Sequence, residues 1–304
     1  MEACRQSPYP WRMELHRMSA PDGLADELTA PVLIAAFDGW IDAAGAATAS
    51  ANHLAAEGQL IATFDSDALN DYRARRPVLD VIDGTLREIS WPELTLRRTR
   101  TGERDLLVLV GPEPDFRWRE LGRDVVALAL RLGVESWVTL GAIPAAVAHT
   151  REVHVFATAS QPGLLHEEQQ QGPPGLLRVP SAALSVVELA VSAAGIPAVG
   201  FYAQIPHYVG GAYTAGAIAL LERVERHVGV SVALGQLPDE AIAQRARLDA
   251  AVESDPATRE YVEQLQADDE AERAMPSGDD LASEIERFLR DEAGGDEPGP
   301  FEGR

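Results

Sequence analysis

The chain has 304 residues, 46% of them hydrophobic and 24% charged, with a formal net charge of −22. That is enough apolar material for one large core or two smaller ones, and the charge opposes binding to nucleic acid or anionic lipid, which relies on Lys and Arg neutralising phosphate. One cysteine, Cys4, and no lysine exclude an internal disulfide, a cysteine-based zinc cluster, a P-loop lysine, a Schiff-base lysine and a Ser–Lys dyad.

Residues 1–25 read as a flexible leader. Met1 to Arg17 is polar, broken by Pro8 and Pro10, and lacks the apolar stretch of a secretory signal. No apolar run in the chain reaches the roughly 20 residues of a membrane span. The single cysteine fits a reducing compartment, so a cytoplasmic location is expected.

Residues 26–235 alternate short apolar runs with helical patterns. Val32 to Phe37 (VLIAAF) has the composition of a strand buried on both faces, and a small-residue helix follows from Ala43 to Glu57. Gln59 to Phe64 is the next strand. Val78 to Asp83 and Arg87 to Trp91 form a hairpin through the turn pair Asp83-Gly84. Leu94 to Thr99 adds an edge strand. Leu106 to Val110 (LLVLV) is a second fully buried strand, followed by a helix from Phe116 to Leu132. Ser136 to Leu140 and Val153 to Thr158 are strands, and a Gly/Pro-rich loop leads to a helix over Ser181 to Ala194. Ala198 to Ala203 is the last strand and Tyr213 to His227 the helix after it. The expected class is α/β: a mixed, mainly parallel sheet with helices on both faces.

Residues 236–292 form an acidic helical subdomain, and 293–304 a disordered tail. From Asp239 to Arg304 there are 20 Asp or Glu against 7 Arg. One helix runs from Asp239 to Glu253. A second opens on Asp255-Pro256, an N-cap followed by proline at the first helical position. A third opens at Ser277-Gly-Asp-Asp280 and places Leu281, Ile285, Phe288 and Leu289 on one stripe. Amphipathic helices need a surface to cover, whether the α/β body, another subunit or a partner.

No complete catalytic motif is present: no G-x-G-x-x-G after a strand, no Walker A, no H-E-x-x-H and no G-x-S-x-G. The seven histidines show no metal-ligand spacing, and nothing in the sequence asks for a cofactor. Ligands of open α/β sheets bind outside the carboxyl ends of the strands, so polar residues there are the candidates: Asp38, Gly39, Trp40 and Asp42; Glu113; Gly141; His149, Thr150 and Arg151; His207 and Tyr208. Asp42 suits an N-cap of the following helix; alternatively it forms a carboxylate pair with Asp38 for acid–base work or for binding a cation. Trp40 is either core or an interface anchor. His149-Thr150-Arg151 is either a loop tied by hydrogen bonds, with Arg151 on Glu113 or Asp38, or a titratable group beside a fixed cation. His207 and Tyr208 admit the same two readings. Arg117 and Arg119 could close salt bridges to another subunit.

PVLIAAFDGWIDAAGAAT (31–48), RPVLDVIDGTLREISWP (76–92), GPEPDFRWR (111–119), VTLGA (138–142), HTR (149–151), GIPAVGFYAQIPHYV (195–209) and SGDDLASEIERFLR (277–290), in this order, resemble the PAC2 family, named after proteasome assembly chaperone 2, and its actinobacterial members in particular. The resemblance implies a fold akin to nucleoside phosphorylases, a helical C-terminal subdomain and homo-oligomeric assembly, with a trimer as the candidate. Eukaryotic relatives act as chaperones in proteasome assembly. The function expected is therefore a non-enzymatic, homo-oligomeric interaction or assembly factor. The alternative is a small-molecule binder or a nucleoside hydrolase or phosphorylase-like enzyme using the strand-end cleft. The chain departs from the family at Ile41, where relatives favour Asn, and at Ala145 to Ala148, where they favour an Asp. It ends Phe301-Glu302-Gly303-Arg304 without the hydrophobic–Tyr–X tail of the eukaryotic chaperones.

Overall fold

The computed structural model describes residues 14–21, 23–166, 172 and 175–274. In chain order the elements are β1 (His16–Met18), α1 (Leu24–Glu27), β2 (Val32–Asp38), α2 (Ala46–Ala55), β3 (Gln59–Phe64), α3 (Ser66–Leu69), β4 (Val78–Ile82), β5 (Thr85–Ser90), β6 (Thr95–Thr101), β7 (Arg104–Pro112), α4 (Trp118–Arg131), β8 (Ser136–Ala145), β9 (Val155–Ala159), α5 (Ala183–Ala193), β10 (Ala198–Pro206), α6 (Thr214–Val228), α7 (Leu237–Ser254) and α8 (Pro256–Ala274). The chain divides into two compact units, residues 1–250 and 251–304.

In the first unit an eight-stranded sheet runs β1-β3-β6-β7-β2-β8-β10-β9. The central strands β7, β2, β8 and β10 are mutually parallel. β3 points the same way, while β1, β6 and β9 oppose it. The sheet is thus mixed and mainly parallel, as the near-continuous apolar strands foretell. Alternation along β2 feeds two cores. Leu33, Ala35 and Phe37 join α4 and α5 on one face; Val32, Ile34 and Ala36 join α2 and α6 on the other. α2 is built of alanines because it lies close to α6: a Cβ on Gly216 of α6 would stand 3.1 Å from the Ala46 Cβ and 2.6 Å from the Ile205 Cδ1.

Four differences from the sequence reading have physical causes. The leader expected over 1–25 carries β1, which pairs antiparallel with β3, and Leu15 is buried. The strand expected at an edge, β6, is interior, between β3 and β7; its arginines suggest an edge, but Arg97 and Arg98 leave to opposite faces of a strand paired on both sides. β8 runs on to Ala145 through Gly141 and Pro144, which read as a stop in the sequence, because β10 pairs with it along its whole length. The helix expected from Ala43 begins as a 3-10 turn over Ala43–Gly45, with Ala44 and Gly45 both left-handed at φ 54° and 64°.

The β4–β5 hairpin forms a sheet of its own. Asp83 and Gly84 turn it at φ 51° and 73°, the left-handed pair that matches strand twist. Every residue of both strands is exposed. In the second unit Asp255 accepts a hydrogen bond from the Thr258 hydroxyl at the start of α8. The helix expected from Ser277 lies outside the described residues.

Candidate functional site

β2 and β7 are parallel neighbours, with Asp38 opposite Pro112. The helix following β2, α2, belongs to one core layer, and the helix following β7, α4, to the other. Their carboxyl ends therefore form a topological switch point, where connections leave toward opposite faces and open a crevice. Asp38, Gly39, Trp40 and Glu113 cluster here.

Glu113 accepts from the Trp40 backbone N–H at 2.9 Å and from the Ala183 N–H at the start of α5 at 2.7 Å. Its own N–H donates to the Asp38 carbonyl at 2.9 Å. Gly39 is required by this contact, since a Cβ there would lie 2.3 Å from the Glu113 Oε2. Trp40 stands 64% exposed. Asp42 caps α2, accepting from the Ala47 N–H at 2.7 Å and the Thr48 N–H at 3.2 Å, with the Thr48 hydroxyl on its second oxygen. Burial raises its pKa; the Thr48 and Ala47 hydrogen bonds work against that rise. The capping reading of Asp42 accounts for both its oxygens.

Asp38 pairs with Arg75, Nη1 to Oδ2 at 2.6 Å, and Arg75 also donates to the Asp38 carbonyl at 3.1 Å. The pair guards a cavity of about 580 Å³ between α2, the ends of β6 and β7 and the base of the β4–β5 hairpin. Thr48, Asn52, Glu93 and Arg97 also line it.

A second cluster lies beyond β8 and β10. His149 is buried; its backbone N–H donates to the Tyr208 hydroxyl at 2.7 Å, and its Nδ1 meets the same hydroxyl at 2.6 Å. Its Nε2 meets the Asp249 Oδ1 at 3.1 Å. Arg245 binds Asp249 at 2.9 Å and the His149 carbonyl at 3.1 Å. Burial lowers the His149 pKa against the Asp249 hydrogen bond, and so favours the neutral ring. A neutral ring is satisfied if Tyr208 accepts from the backbone N–H and donates to Nδ1, while Nε2–H donates to Asp249. Arg245, with lesser help from His149, holds Asp249 below the usual carboxylate range. His207, exposed, turns its Nδ1 to the Ala145 carbonyl at 3.0 Å.

The candidates thus separate into two groups. Asp38 lines the switch-point cavity, whereas His149 and Arg151 line another, of about 450 Å³, with residues of α6 and α7. Thr150 lies in the loop with them. Asp38 is engaged by Arg75 and Glu113 by backbone amides, so the pairing of Arg151 with either is not formed. Gly141 is no strand end: it lies inside β8, where a Cβ would meet the Tyr202 ring at 2.5 Å. Arg117 pairs with Glu120 of its own helix. Among the described residues no group of three His, Cys, Asp or Glu side chains could hold a metal.

Sequence reasoning missed Arg75, Asn52, Glu93 and Arg97 in the cavity, and Asp249 and Arg245 behind His149. The only signal for Arg75 is its place just before the hairpin; the others carry none, because their positions depend on long-range packing. It also missed Glu188 on α5, whose pKa burial raises against a hydrogen bond from the Thr139 hydroxyl.

Residues 36–252 match the PAC2 family. A proteasome-assembly chaperone homologue from Mycobacterium tuberculosis is 36% identical, over 76% of this chain and 99% of that chain, with a TM-score of 0.70. A PAC2 family protein from Streptomyces avermitilis is 34% identical over 76% and 99%, at 0.69. A further M. tuberculosis protein, of unknown function, is 30% identical over 93% and 95%, at 0.78. No curated protein matches.

Proposed function

This chain belongs to the PAC2 family, and from that premise we propose that it is a non-enzymatic assembly factor, a chaperone-like homo-oligomer acting in the cytoplasm through protein contacts. The observation that carries this reading is the β4–β5 hairpin. Val78, Leu79, Val81, Ile82, Leu86, Ile89 and Trp91 are all at least 45% exposed. The cross-strand pairs Leu79–Ile89 and Val81–Leu86 place four of them on one face of the hairpin, an exposed apolar patch of the kind that marks an interaction site, and a lone two-stranded hairpin is marginal in water. A surface of this kind gains stability when a second chain covers it. The likeness to a proteasome-assembly chaperone homologue gives the class of partner to try first.

Light scattering and native mass spectrometry of the full chain test self-association, with a trimer as the assembly to look for. Leu79 and Ile89 face each other across the hairpin. Changing both to Thr puts a strand-compatible, β-branched side chain at each position but removes apolar surface, and should weaken self-association by about a hundredfold. A wild-type chain that stays monomeric at every concentration overturns the homo-oligomer. Mixing the chain with unassembled proteasome subunits of its own host should speed their assembly; an unchanged rate removes the proteasome from the proposal.

A further inference from the structure

We propose that the switch-point cavity is a binding site for a small, net-neutral ligand with vicinal hydroxyl groups, such as a sugar or another polyol. This inference does not depend on the assembly reading. The place follows from topology: adjacent parallel strands whose helices leave to opposite faces open a crevice at their carboxyl ends. The cavity of about 580 Å³ there is within the size range of small-molecule sites.

The ligand class follows from the walls. Two carboxylates, Asp38 and Glu93, and two guanidinium groups, Arg75 and Arg97, face the same space, so the formal charges of the ionised side chains cancel. A phosphate would meet both carboxylates, and a simple cation both arginines; each gains from one pair and loses to the other. A hydroxyl group donates and accepts at once, so a row of them satisfies carboxylate acceptors and guanidinium donors together. Capacity remains for it. Arg75 is engaged by Asp38 and Arg97 by the Gly58 carbonyl at 3.0 Å, which leaves several of the five N–H donors on each. The Asn52 and Glu93 side chains form no hydrogen bond or ion pair among the described residues. Thr48 donates its hydroxyl hydrogen bond to Asp42 and can still accept on its lone pairs.

The ligand would also touch both legs of the hairpin. Arg75 precedes β4, and Glu93 follows β5. A bound polyol would therefore brace the hairpin against strand ends that belong to the central sheet.

The test is saturation-transfer NMR followed by titration of the full chain with D-ribose, D-glucose, D-ribose 5-phosphate and inorganic phosphate. Expected is binding of at least one of the two sugars, with the phosphorylated sugar weaker. Asn52→Leu, on an exposed face of α2, and Asp38→Asn should each weaken binding by about five- to tenfold through one lost hydrogen bond. Circular dichroism of both variants separates lost binding from lost fold, and Asn52→Leu serves alone if Asp38→Asn unfolds. Bound sugar should slow amide exchange in residues 78–90. Silence from both sugars, tighter binding of phosphate than of sugar, or unaltered affinity in a folded Asn52→Leu variant overturns the proposal. None of these results bears on self-association, which is measured without ligand.

Discussion

Gly39 is small because Glu113 occupies the space a side chain would take. A Cβ there would stand 2.3 Å from the Glu113 Oε2 and 2.6 Å from its Cβ. Gly39→Ala must displace the carboxylate that ties the Trp40 and Ala183 amides. The expected loss is about 1–3 kcal/mol, read by urea denaturation. Asp105 offers a second single-residue prediction. Its side chain is fully buried, accepting from the Arg98 Nε at 2.7 Å and the Thr29 N–H at 2.8 Å. Burial alone would raise its pKa, but Arg98 and the Thr29 amide outweigh it and leave the carboxyl below its usual range. Asp105→Asn strips the charge from a buried pair and should cost about 3 kcal/mol at pH 7. The stabilisation is present above the unfolded carboxyl value of about 3.9 and is lost as pH falls through the lower folded value. Denaturation curves of wild type and variant should therefore converge in acid. At this scale the sequence was legible where a residue acts on its own backbone neighbourhood, as Asp42 does in capping α2. It was silent where the partner is distant: nothing in the spacing links Asp38 to Arg75 or His149 to Asp249.

At the scale of elements, period and composition were enough for the buried strands, since VLIAAF and LLVLV leave no polar face to turn outward. They misled at β6, whose arginines suggest an open edge, and at β8, whose glycine makes room for the Tyr202 ring instead of a turn. β1 was missed because three residues carry no period. It is fastened by His16, whose Nδ1 lies 2.7 Å from the Asp124 Oδ2 of α4, both side chains nearly buried. The Asp124 hydrogen bond raises the His16 pKa, against burial, which lowers it. A histidine stabilised in its charged form contributes fully below its unfolded value of about 6.5, and the contribution disappears as pH rises through the folded value. The stability gap between wild type and His16→Gln should therefore be widest in mild acid, about 1–2 kcal/mol, and should narrow toward alkaline pH. A gap that widens with pH would contradict the charged pairing.

For the whole molecule, alternation of strands and helices gave the layers and the parallel centre, and the strand-end rule pointed to the end of the sheet where the cavity lined by Asp38 and Pro112 lies. It could not divide the candidates between two cavities, because that division depends on which face each connection takes. The order of strands also bears on how copies of the chain can meet. Among the described residues the strands at the two borders of the sheet are β1, three residues long, and β9, five residues long. Such short borders present few free amides and carbonyls to a newcomer, so end-to-end zippering into a continuous ribbon is disfavoured. Copies of the chain should consequently not join by adding strands to the eight-stranded sheet, and infrared spectra of concentrated solutions should show no rise in intermolecular β-sheet signal from its borders.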